Sequence, residues 1–142
     1  MDEEVRFVVY DVTMKEGAPP SAARVAEQIG RSVADVAESF RRLAEARMLV
    51  LQPGGEILMA GPFSAVPTPF KVITDAFEAY GNCIWDALGI PAMVKADATI
   101  DTNCADCGER AYFHVTNGEF TGSGLMHFVV PARLWWMHIV YT

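Results

Sequence analysis

Apolar residues recur at helical spacing in two stretches near the start of the chain. One follows Ser21 and covers residues 22–29, and the other follows Ser32 and covers residues 33–46. A serine hydroxyl can accept the free N–H groups at the start of a helix, so each stretch is predicted to be a capped helix. The preceding run, residues 5–12, is apolar and rich in valine, and its pattern fits a strand or a helix.

A hairpin pattern follows the second helix. Apolar runs at 48–51 and 57–59 flank residues 53–55, a proline and two glycines, which is typical of two short strands joined by a tight turn. Helix, turn, helix and hairpin are the successive elements of a winged helix. We therefore predict a winged-helix-like subdomain over residues 1–61.

The second half alternates strand-like runs with one helical stretch. Prolines at 62, 67 and 69 predict a linker over residues 61–69. Beyond the linker, the pattern predicts a helix at 80–88, ended by Gly89 and Pro91, and strands at 70–74, 99–102, 111–116 and 125–130. This order predicts an α+β fold, in which residues 62–142 form a small mixed or antiparallel sheet with helices.

Composition and charge narrow the functional classes. The 142 residues are 51% hydrophobic and 20% charged, which predicts a folded chain with a core rather than a disordered one. Asp and Glu outnumber Lys and Arg by 18 to 11, and this acidic balance argues against nucleic acid as a partner. We expect no membrane span, because no apolar run is long enough, and the acidic start differs from a secretory signal. Three cysteines without such a signal predict free thiols in the cytoplasm.

Cys83 and Asp86 are the first candidate site. On the predicted helix at 80–88 they are three residues apart and share a face. A thiolate is a nucleophile and a ligand for soft metals, and a carboxyl group can hold and deliver a proton. On spacing alone, a buried core cysteine beside a surface carboxylate is the commoner explanation.

Cys104 and Cys107 are the second candidate site. With the glycine that follows, they form a Cys-x-x-Cys-Gly turn between two predicted strands, which resembles half of a zinc knuckle. A tetrahedral zinc site needs four ligands, and none of His114, His127 and His138 lies at the usual spacing. The alternatives are a turn with a buried thiol and a zinc site that two copies of the chain complete together.

Two further features have a structural and a functional interpretation. In a DNA-binding winged helix, the second helix of this half would read the DNA. Its arginines alternate with acidic residues, which disfavours contact with phosphates. A packing role is therefore favoured over a role in a DNA-binding or metal-sensing regulator. Near the C-terminus, Trp135, Trp136 and Tyr141 are more typical of a core than of a ligand cage, and His138 is more typical of a half-buried histidine than of a ligand.

A longer motif surrounds the first candidate site. Residues 80–92, Tyr-Gly-Asn-Cys-Ile-Trp-Asp-Ala-Leu-Gly-Ile-Pro-Ala, resemble the signature of the organomercurial (alkylmercury) lyases. A later cysteine, Cys104, a strand-like run at 126–130 and the segment 130–136 follow in the order of that family. The resemblance extends from about Ser21 to the end of the sequence.

The resemblance implies an activity, namely protonolysis of a carbon–mercury bond to a hydrocarbon and Hg(II). In that family two cysteine thiolates capture the organomercurial and an aspartate relays a proton to the leaving carbon. Cys83 matches the first catalytic cysteine, Asp86 the aspartate, and Cys104 a cysteine that the family uses structurally. The resemblance further implies that no cofactor is required, that the substrate is a small organomercurial, and that a mercuric reductase accepts the Hg(II). The oligomeric state, monomer or homodimer, stays open.

One departure from the family bears on turnover. The family's second catalytic cysteine lies just after a segment that residues 135–142 resemble, and the sequence ends there. Cys104 or Cys107 could replace that thiol only if its sulfur lay within about 4 Å of the Cys83 sulfur, the separation that a shared metal permits. We therefore expect a lyase-like protein that binds mercury through Cys83 and in which cleavage is weakened or lost.

Overall fold

The computed structural model describes residues 1–140, and within them the predicted α+β fold is confirmed. The helices are α1 (Asp2–Glu16), α2 (Ala22–Ile29), α3 (Val33–Glu45) and α4 (Ile84–Val94), with a 3₁₀ helix at Ala132–Met137. The strands are β1 (Val50–Leu51), β2 (Ile57–Ala60), β3 (Phe63–Ser64), β4 (Lys71–Ile73), β5 (Glu78–Gly81), β6 (Ala98–Asn103), β7 (Arg110–Thr116) and β8 (Glu119–Thr121). None of the helices described is long and apolar enough to cross a membrane.

The ambiguous run at 5–12 is helical and lies inside α1. Its valines form one buried stripe against α2 and α3, and this packing outweighs the β propensity of valine. The predicted helices α2 and α3 are confirmed, each with its serine cap. Ser21 Oγ accepts the N–H of Arg24 at 3.3 Å, and Ser32 Oγ accepts that of Asp35 at 3.1 Å.

The strands described form one antiparallel sheet in the order β1-β2-β3-β5-β4-β6-β7-β8. The predicted hairpin β1–β2 is confirmed, and the order of elements in residues 1–61 is the one predicted, while the winged-helix assignment itself stays a prediction. The predicted linker at 61–69 is wrong, because it contains β3, which pairs with both β2 and β5. Its prolines lie outside β3, so they do not interrupt the hydrogen-bonded ladder.

The buried hydrophobic residues form two separate clusters, and the boundary between them lies near the predicted subdomain boundary at residues 61–62. One contains residues from Val5 to Ala60, and the other contains residues from Phe63 to Val115. The sheet nevertheless continues across the boundary. The division into 1–61 and 62–142 therefore stays a prediction about independent subdomains.

Two other expectations fail in the second half. The helix predicted at 80–88 begins later, at Ile84, and runs beyond Gly89 to Val94 with Pro91 buried inside it. Burial of Ile90 and Pro91 against the sheet stabilises these extra turns. The strand predicted at 125–130 is absent from the described residues. The place beside β7 is taken by β8, so residues 125–130 do not pair with it. Most of the apolar side chains of 125–130 face solvent.

Candidate functional site

The junction of β5 and α4 positions Cys83. Gly81, the last residue of β5, packs so closely on α4 that a Cβ atom there would lie 2.5 Å from the backbone nitrogen of Ala87. Cys83 then adopts an extended conformation as the N-cap of α4, and its carbonyl accepts the N–H of Ala87 at 2.9 Å. Asp86 lies in the first turn of α4, so the two side chains meet at a helix start rather than on the face of a longer helix.

The Cys83 thiol is half-buried. Burial raises the pKa of the thiol above its ordinary value, and the negative charge of Asp86 raises it further. The backbone N–H groups of Asp86 and Trp85 donate toward the sulfur and oppose this shift. The raised pKa favours the protonated thiol at neutral pH.

Asp86 is held by Asn82. Burial raises the pKa of the Asp86 carboxyl, while the amide of Asn82, which donates to Asp86 Oδ2 at 2.9 Å, lowers it. The same amide nitrogen donates to the carbonyl of Pro62 at 3.1 Å, so it is tied to the loop before β3. Asn82 Oδ1 is buried and has no hydrogen-bond partner within residues 1–140. No sequence pattern assigns a role to Asn82, although this residue directly precedes Cys83 in the signature.

A cavity of about 240 Å³ opens beside these side chains. Its polar end consists of Asn82, Cys83 and Asp86, and its remaining lining is mostly apolar and aromatic: Arg47, Val50, Met59, Gly61, Phe128, Trp135, Trp136, Ile139 and Val140. The cavity therefore places one thiol and one carboxyl group against a surface that suits a small apolar group.

The aromatic wall is built from the C-terminal segment. Trp135 Nε1–H donates to the carbonyl of Val130 at 2.8 Å, and its ring lies 5.3 Å from that of Phe128. The guanidinium of Arg47 lies 5.9 Å from the centre of the Trp136 ring. The expectation of core tryptophans is wrong, because both line the cavity and keep part of their surface exposed. Tyr141 lies outside the described residues.

Cys104 and Cys107 lie in the β6–β7 loop and do not line the cavity. The expectation of a buried thiol in this turn is wrong, because both side chains are exposed. The N–H groups of Cys107 and Asp106 donate to the sulfur of Cys104, and with the Cys107 thiol they lower its pKa. Within residues 1–140 no three His, Cys, Asp or Glu side chains are placed to hold one metal ion, so zinc would need ligands from a second copy.

Comparisons with known proteins bear on the family. The family described as "MerB: Alkylmercury lyase" matches residues 63–142, which is more than half of the chain and includes Cys83 and Asp86. A solved structure described as "Crystal structure of the mercury-bound form of MerB2" has the same fold, with a TM-score of 0.66 and 21% identity over 84% of this chain. The chain spans 59% of the length of that structure. No curated protein matches the chain. Together with the signature around Cys83, the family match shows that this chain belongs to the alkylmercury lyase family.

Proposed function

We propose that the chain binds organomercurials through Cys83 and cleaves their carbon–mercury bond with Asp86 as the proton donor. The observation that carries the proposal is the shared cavity, in which a thiol and a carboxyl group of raised pKa lie beside an apolar wall. The raised pKa of Asp86 favours the protonated carboxyl that proton delivery needs.

The binding step is a ligand exchange at mercury. The organomercurial arrives as an adduct with a small thiol, and the Cys83 sulfur forms a bond to mercury while the small thiol leaves with the proton of Cys83. Thiolate is the preferred ligand of a soft metal, so the exchange is favourable. Phe128, Trp135 and Trp136 contact the organic group in the cavity.

The cleavage step is protonolysis. The Asp86 proton moves to the carbon, the electron pair of the carbon–mercury bond forms the new carbon–hydrogen bond, and Hg(II) remains on sulfur. Cys83 is the one thiol among the described residues that line the cavity, so we assign the second sulfur donor to a small thiol in solution. That thiol gives its proton to the Asp86 carboxylate, and its sulfur occupies the position on mercury that the carbon leaves. Neither step uses a cofactor.

Single-turnover release of benzene from phenylmercury, with excess small thiol, tests the proposal. We expect release by the wild type, loss of both phenylmercury binding in the cavity and release in Cys83→Ser, and retained cavity binding with release slowed by about 10²–10⁴-fold in Asp86→Asn. Asp75→Asn is the matched control, because Asp75 is exposed in the β4–β5 turn and does not line the cavity. Release that survives Cys83→Ser would overturn the proposal.

The alternative is a winged-helix regulator that binds DNA, with α3 as its reading helix. The contacts of α3 favour packing instead, because Arg42 donates to both carboxylate oxygens of Asp2, at 2.8 and 2.7 Å, and Arg41 pairs with Glu38. Arginines already paired with carboxylates gain less from phosphates. A gel shift of duplex DNA that weakens with added salt would favour the regulator. If no shift appears at low salt as the protein concentration is raised, the regulator is excluded.

The proposal includes a location and a partner for the protein in the cell. A cytoplasmic location would provide the reduced small thiols that both steps need, and a mercuric reductase would accept the Hg(II) that leaves with them. The oligomeric state, monomer or homodimer, is measured by sedimentation of the reduced protein.

A further inference from the structure

We propose that Cys104 and Cys107 form a second thiophilic site, which holds one Hg(II) ion between two thiolates of the same chain, separately from Cys83. The proposal rests on the proposed function in one respect, since that function makes Hg(II) the soft ion released beside this loop. The site would act as a holding site for the product.

The loop that carries the two cysteines is closed by backbone hydrogen bonds. Cys104 N–H donates to the carbonyl of Glu109 at 2.7 Å, and Gly108 N–H donates to the carbonyl of Cys104 at 2.9 Å. Gly108 has a φ of +72°, a left-handed conformation that glycine adopts without strain. Since strands β6 and β7 are paired as far as Asn103 and Arg110, the loop starts and ends at fixed positions. Little ordering is therefore required when an ion binds.

Cys104 and Cys107 lie in one turn, which the hydrogen bond from Gly108 N–H to the carbonyl of Cys104 closes. Hydrogen bonding from the Cys107 thiol and from the N–H groups of Asp106 and Cys107 lowers the pKa of the Cys104 thiol. Donors grouped around a sulfur in this way stabilise the negative charge that a thiolate ligand carries. The turn thus resembles half a zinc knuckle.

Ligand number favours Hg(II) over zinc at this pair. Zinc takes four ligands in structural sites, and residues 1–140 offer no third His, Cys, Asp or Glu beside the two thiols. Hg(II) is a softer ion than Zn²⁺ and forms a stable complex with two thiolate ligands. Both side chains are exposed, so the ion can enter by exchange, in which Cys104 and Cys107 replace two small thiols on mercury and each departing thiol takes up one proton.

The pair lies at the same end of the sheet as the candidate site. Lys71 of β4 is paired with Tyr80 of β5 on one side and with Asp101 of β6 on the other. Both neighbours run antiparallel to β4, so they are parallel to each other and end at the same edge. Cys83 follows β5 and Cys104 follows β6, and two strand spacings separate β5 from β6 by about 10 Å. The cavity thiol and the exposed dithiol therefore follow strands that end at the same edge of the sheet.

Titration of the reduced protein with HgCl₂ in the presence of excess small monothiol tests the proposal. Bound mercury per chain is read by native mass spectrometry, in a Cys83→Ser background that removes the cavity thiol. We expect this background to retain one ion. Adding Cys104→Ser or Cys107→Ser should weaken retention by about 10²-fold or more, because a chelate becomes a single thiol. The matched control adds Asp106→Asn, which changes the same loop and keeps both sulfurs.

Two results would overturn the proposal. One is retention that does not change when Cys104 or Cys107 is replaced. The other is an ion found only in particles of two chains, which would assign the thiols to a site between copies. The proposed function is tested by a different measurement, hydrocarbon release from the wild type. Absence of that release would contradict the proposed function and would leave the dithiol site unaffected, so the two failures are distinguishable.

Discussion

The cavity thiol, Cys83, and the loop thiol Cys104 lie in different environments. Backbone N–H groups donate toward the sulfur of each one. At Cys83 burial is the largest influence, and with the charge of Asp86 it raises the pKa of the thiol. At Cys104 the donors act on an exposed side chain, and the pKa of that thiol is lowered. Burial therefore outweighs the backbone N–H donors at Cys83, whereas the donors outweigh it at the exposed Cys104.

The same difference separates the chemistry that each region suits. The cavity thiol lies beside an apolar aromatic wall and a carboxyl group that holds a proton, which suits an organic group bonded to mercury. The loop thiols do not line this cavity and are exposed to solvent, which suits exchange of a bare ion.

Replacing one glycine in each region gives the largest expected contrast. Gly81→Ala places a Cβ atom 2.5 Å from the Ala87 nitrogen and should lower the free energy of unfolding by about 3 kcal/mol. Gly108→Ala meets no atom within 4 Å and should cost only about 1 kcal/mol of left-handed strain. Urea unfolding followed by circular dichroism measures both. Equal losses would contradict the close packing of β5 on α4.

Alkylation rates compare the thiols directly. At about pH 7 iodoacetamide should modify Cys104 at least about tenfold faster than Cys83, because the thiolate is the reactive form and Cys83 is partly covered. Peptide mass spectrometry after short exposures gives both rates. In denaturant the rates should converge, which provides the control. A faster Cys83 in the folded protein would reverse the comparison.

Asn82 gives a prediction about the proton donor. The Asn82 amide stabilises the charged form of Asp86, so Asn82→Ala should raise the pKa of Asp86 and shift the fall of hydrocarbon release to higher pH. The lost hydrogen bond should also cost about 1 kcal/mol of stability. Release measured from acid to neutral pH checks the shift, and Asn82→Gln is the conservative comparison. An unchanged pH profile would leave Asn82 with a purely structural role.

The smallest expected effect comes from removing one negative charge beside each thiol. Asp86→Asn should lower the pKa of Cys83, and Asp106→Asn should lower that of Cys104, because both carboxylates disfavour a neighbouring thiolate. Thiolate absorbance in single-cysteine proteins measures each titration. After both changes Cys83 should still titrate at higher pH than Cys104, since its burial is unchanged. A crossing of the two values would show that charge outweighs burial.

Much of the first half could be predicted because its signals are local. The serine caps at Ser21 and Ser32 and the turn between β1 and β2 each depend on a few adjacent residues. The valine run at 5–12 could not be assigned, because its helix is selected by packing against α2 and α3. The linker prediction failed for a similar reason, since β3 exists only through its pairing with β2 and β5.

The reactive groups of this protein can be read from its sequence: three thiols, the Cys83 and Asp86 pair inside a family signature, and a Cys-x-x-Cys-Gly turn. The positions of these groups in space depend on the tertiary structure. It located Cys83 at the start of α4, joined Asp86 to Asn82, and left Cys104 and Cys107 exposed. The physical reason is that burial, strand pairing and the approach of Gly81 to Ala87 arise from chain segments meeting in space, which a local pattern does not record.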